Sequence, residues 1–98
     1  MHTSESITKT LKERGEKYGD FEGGIILLVS IMDLIKSRYI DVHGAPLDGV
    51  QEECLRTIIN KITRLAVTPD HWDTWTDIQG YSKLIQQSIK RRYDHARD

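Results

Sequence analysis

The chain has 98 residues, 30% of them charged, and its 14 basic and 15 acidic side chains leave a formal net charge of −1. That length describes a single domain, residues 1–98, able to bury a core without staples. The balanced charge supplies no overall field to draw it to nucleic acid or to an anionic membrane.

Cys54 is the one cysteine; it cannot form an internal disulfide, and its place in an apolar run reads as a small core residue. No segment approaches the roughly 18 uninterrupted apolar residues of a membrane span, and the first twenty residues lack a signal-type apolar core. The expected compartment is therefore the cytoplasm, with no membrane partner.

In chain order, Thr3 or Ser4 can cap a short first helix carrying Ile7 and Leu11, ending near Arg14 and Gly15. Residues 16–21 form a connector in which Gly19 permits a sharp turn and Asp20 can cap the second helix. That helix, about Asp20 to Ser37, sets Phe21, Ile25, Leu28, Met32 and Ile35 at helical spacing. Ile26, Leu27, Val29, Ile31 and Leu34 add apolar surface beyond that stripe. So little chain exists to cover this helix that a homodimer, with the helix against its symmetry mate, is expected.

Tyr39 to Leu47 reads as a loop marked by Gly44 and Pro46, with His43 a surface histidine. The third helix, from Leu47 or Asp48 to about Ala66, carries Val50, Cys54, Ile58, Ile62 and Leu65, with acids in its first turns and bases in its last. Thr68-Pro69-Asp70 breaks it. The fourth, from Pro69 or His71 to Tyr93, keeps Trp75, Ile78, Ile85 and Ile89 on one face, with Trp72 well away from that stripe by helical angle; its charged tail is expected to fray. The fold class is all-α: a bundle-like domain of four helices, one short and three long, built on an antiparallel helical hairpin.

The short turn makes the last two helices antiparallel, so residues equidistant from it face each other. Arg64 should oppose Asp73, and Lys61 should lie near Asp77. Gly80 and Leu84 continue the aspartate column. A glycine inside a helix costs about 1 kcal/mol against alanine, so Gly80 points to close approach by a backbone or a ligand. One reading of the four charges is a pair of interhelix ion pairs holding register, worth about 0–1 kcal/mol each. The other is a polar pocket in which the bases meet phosphate oxygens and Asp73 and Asp77 hold a divalent ion. Glu53, eleven residues before Arg64, lies roughly 16 Å away along the helix, so only a dimer would return it to the cluster. Arg14, Lys17, Tyr18 and Asp20 are possible accessory groups on the connector.

Four stretches together carry a resemblance. They are Glu53-Cys54-Leu55; Ile58-Ile59-Asn60-Lys61-Ile62-Thr63-Arg64-Leu65; Asp73-Thr74-Trp75-Thr76-Asp77-Ile78-Gln79-Gly80-Tyr81; and the earlier run from Arg14 through Tyr18, Gly19 and Asp20 to Phe21. This set resembles a family of small phage and prophage proteins of uncharacterised function and, more remotely, the MazG-like all-α nucleoside triphosphate pyrophosphohydrolases. The latter resemblance implies magnesium held by an acidic pair on one helix and a second acidic set on the next. Asp73 and Asp77 match part of the second set, whereas Lys61 and Arg64 stand where the facing helix would carry acids. That exchange changes the local charge by about four units and removes the oxygen ligands magnesium prefers.

Three functions are expected in turn. The first is a phage-type helical protein that binds a nucleotide or other phosphorylated ligand without hydrolysis, through Lys61, Arg64, Asp73, Asp77, Gly80 and Tyr81. The second is an inhibitor that contacts a host enzyme or defence complex, as an anti-CRISPR protein would, through exposed acids and aromatics such as Trp72 and Tyr81 in the host cytoplasm. The third is an active magnesium-dependent pyrophosphohydrolase with ligands from Glu53, Asp73 and Asp77 across a dimer. Lys90, Arg91 and Arg92 read as a solvated end rather than a nucleic-acid contact.

Overall fold

A computed structural model describes residues 9, 11–12 and 19–97, with side chains through residue 94. It contains three long helices, α1 (Phe21–His43), α2 (Gly49–Leu65) and α3 (Trp72–Arg97), and no strand among the described residues. The all-α expectation holds. The count of four is corrected to three described helices, since of the expected short first helix only Lys9, Leu11 and Lys12 are described, all helical.

Each helix end has a local hydrogen-bonding cause. The Asp20 side chain accepts from the Gly23 amide and starts α1. The helix then runs six residues past Ser37, through most of the expected loop. Nothing in residues 38–43 breaks it, and Tyr39 and His43, one turn apart, bring their rings to 4.2 Å. Gly44 stops it with φ +70°, its amide bonding the Ile40 carbonyl at 2.7 Å. At α2 the Asp48 carboxylate accepts from the Gln51 amide at 2.8 Å, and the Gln51 side chain accepts in return from the Asp48 amide at 3.1 Å. The third start is less familiar: His71 Nδ1 accepts from the Thr74 amide at 3.3 Å and lies 2.8 Å from the Thr74 hydroxyl. The Trp75 indole N–H donates to the Pro69 carbonyl at 2.8 Å and pins the bend. Helix α3 continues to Arg97, so the charged tail expected to fray is helical.

Helix α2 is the middle of a layer. Helices α1 and α3 each pack along it and barely touch one another. One side of α2 is fixed against α1 by Glu52, whose carboxylate meets the Lys36 ammonium at 2.8 Å; Ile59 and Thr63, both buried, lie farther along that side at helical spacing. The other side is fixed against α3 by Lys61 and Asp77, with Cys54, Ile58 and Leu65 half-buried around it.

The core this arrangement makes is small. Among the described apolar side chains only Met32 and Ile59 are fully covered, at 2% and 5% exposure. The expected stripes are therefore covered along their centres and open at their edges. On α1, Phe21 and Ile25 are exposed; on α2, Val50 and Ile62; on α3, Trp75 and Ile89. Ile59, outside the expected stripe, takes the deepest place on α2 because α1 lies on that side.

Candidate functional site

The hairpin register brings Lys61 and Asp77 together with Nζ to Oδ2 at 3.2 Å, as equidistance from the bend requires. Lys61 is largely enclosed, its side chain 14% exposed against 48% for Asp77. The ammonium also lies 5.7 Å from the centroid of the Tyr81 ring, so one cation is shared between a carboxylate and a π face. Asp48 and Arg92, paired at 2.9 Å across the far end, obey the same register.

The other members of the expected cluster go elsewhere. Arg64 lines a cavity of about 650 Å³ between the start of α1 and the end of α2, with Gly19, Asp20, Phe21, Ile25 and Asn60 among its neighbours. Three residues along a helix turn a side chain by roughly 60°, enough to aim Lys61 toward α3 and Arg64 toward α1. Asp73 is exposed and forms no ion pair among the described residues. The expected meeting of two bases and two acids thus reduces to Lys61 with Asp77, joined by Tyr81.

Gly80 corrects a second expectation. A Cβ built there would meet nothing within 4 Å, so no backbone presses on it within the chain. Close approach occurs instead at Gly19, where φ is +79° and a Cβ would lie 2.9 Å from Val67 Cγ2. The connector therefore ends against the bend of the hairpin. Its Asp20 is occupied as the cap of α1, and Arg14, Lys17 and Tyr18 lie outside the described residues.

Glu53 bonds Arg56 at 3.2 Å on its own helix. It also borders, with Tyr81, Cys54, Leu84 and Ser88, a mostly apolar cavity of about 420 Å³ between α2 and α3. Eight residues still separate it from Lys61, about 12 Å of helix. Among the described residues no three His, Cys, Asp or Glu side chains are grouped to hold a metal ion. Asp77 is committed to Lys61 and Glu53 to Arg56, so within one chain the described residues do not fit the magnesium site the resemblance implies.

The perturbed carboxylates sit away from this cluster. Asp48 is held below its ordinary value chiefly by the Gln51 amide and then by Arg92. Glu52 is lowered chiefly by its hydrogen bond from Lys36.

At the bend, three apolar residues stand open to solvent: Val67, Trp72 and Trp75, with Trp72 81% exposed. Exposed Asp70 and Asp73 lie among them in the sequence. The offset of Trp72 from the apolar stripe of its helix is the signal in the sequence that points here. No family model, curated protein or solved structure matches the chain, so the likeness to phage proteins and MazG-like enzymes rests on the quoted motifs alone.

Proposed function

We propose that this protein is a binding module that acts by protein–protein contact, with the bend between α2 and α3 as its recognition surface. The observation that carries this reading is Trp72, a large aromatic left 81% exposed near a second tryptophan and among exposed aspartates. Tryptophan is enriched among residues that dominate interfaces because one side chain buries much area with few rotamers to fix. The complementary partner surface is an apolar pocket rimmed by basic groups. Antagonism of a host enzyme or defence complex is the form of this activity that the phage resemblance implies. The test is affinity capture with wild-type protein, identification of what is held, and titration of the purified partner against Trp72→Ala. Loss of about 2 kcal/mol or more of binding energy, roughly 30-fold in Kd, is expected for a central anchor. Equal affinity of the two proteins overturns the assignment.

A second reading, retention of a phosphorylated ligand without hydrolysis, is favoured by one observation: Lys61 and Tyr81 meet beside the cavity that Tyr81 helps to line. An anion there competes with Asp77 for the ammonium, so binding is weak unless Asp77 moves or holds a cation. Thermal shift against nucleotides, with and without magnesium, separates the readings. A nucleotide-dependent rise lost in Lys61→Ala supports the ligand reading over the protein-contact one.

A further inference from the structure

The largest unclosed feature of the fold is the trough left because α1 and α3 flank α2 without meeting. Its walls are Ile35 and Tyr39 of α1 and Ile85 and Ile89 of α3; its floor is Ile58 and Ile62 of α2, around a volume of about 640 Å³. The lining is almost wholly apolar. Its one charged member, Arg92, is tied to Asp48 at 2.9 Å.

We infer that a second copy of this chain closes the trough, forming a two-fold dimer in which the open edges of α1 and α3 from each copy cover the floor of the other. The area involved argues for a copy rather than a small molecule. The chain exposes 7901 Å², against about 5,700 Å² for a compact monomer of 11.3 kDa. The surplus of roughly 2,200 Å² per chain, doubled, falls in the range of about 2,000–5,000 Å² buried by obligate homodimers. No ligand that fits 640 Å³ removes that much surface. The same chain also carries what the trough needs, since Leu34 of α1 and Ile89 of α3 are exposed apolar side chains, and an isologous interface uses one patch as both donor and receiver. A net charge of −1 sets little repulsion between copies. Periodicity alone points to self-association through one helix; the trough spreads it over three and leaves the Trp72 end outside.

Light scattering coupled to size exclusion reads the result directly. Wild-type protein should elute at twice 11.3 kDa across micromolar loading, whereas Ile62→Glu and Ile89→Glu should elute as helical monomers. Both positions are already exposed in the single chain, so the substitutions do not tax its own core. Leu84→Glu, an exposed site outside the trough lining, should remain dimeric. If one trough variant loses helical circular dichroism, the other decides. A wild-type monomer, or a dimer unaffected by a folded trough variant, overturns the inference. Neither result alters the Trp72→Ala outcome, so the two proposals fail separately.

Discussion

Lys61 shows what a single residue's position can and cannot reveal. Its pairing with Asp77 is readable because an antiparallel hairpin with a short bend fixes which residues lie opposite. The fate of Arg64 is not, because a helix turns about 100° per residue and the direction of a second neighbour, here α1, is absent from local spacing. With Asp77 half exposed, solvent screens the Lys61–Asp77 pair. A double-mutant cycle with Lys61→Met and Asp77→Asn should therefore return a coupling below about 1 kcal/mol; a larger value would mean the pair is more enclosed than its exposure indicates. Asp48 and Glu52 make a pH prediction of definite sign. Both carboxyls are lowered in the folded chain, so their stabilisation is complete above the ordinary values of 3.8 and 4.5 and is lost as pH falls through the lowered ones. Urea midpoints measured from pH 6 downward should decline in that acid range, with a shallower decline in Glu52→Gln.

At the scale of elements, two glycines with open space around them should respond in opposite directions. Gly80 lies inside α3 with nothing within 4 Å of a built Cβ, so Gly80→Ala should stabilise by about 1 kcal/mol. For a domain of this size that raises Tm by roughly 4–8 °C. Gly44 also meets nothing, but its φ of +70° is the left-handed cap of α1. There Gly44→Ala should cost about 1–2 kcal/mol, purely through the backbone, and thermal denaturation of the two variants checks both signs. The caps at Asp20 and Asp48 are legible from residue type. The cap at His71 is not, because an imidazole serves as an N-cap only when the bend aims Nδ1 back at the Thr74 amide. The end of α1 is hidden for a related reason: the charged and aromatic residues after Ser37 suit a loop or a helix, and only Gly44 forces a stop.

For the whole molecule, the shortage of buried apolar side chains becomes a thermodynamic expectation. If the trough is filled by a second copy, association and folding are linked, and Tm must rise with protein concentration. Scans over a hundredfold range of concentration should show an upward drift in wild type and none in Ile89→Glu.

Composition and periodicity by themselves determined the all-α class, the three long helices, the hairpin register and the excess of apolar surface, because each depends on local propensity or on spacing along one helix. Only the tertiary structure decided that α2 lies between two helices that do not meet, that Arg64 and Asp73 part company, and that Gly80 faces open space. Those outcomes depend on the angle at which each helix crosses the next. A periodic stripe specifies which face of a helix avoids water and is silent on what covers it.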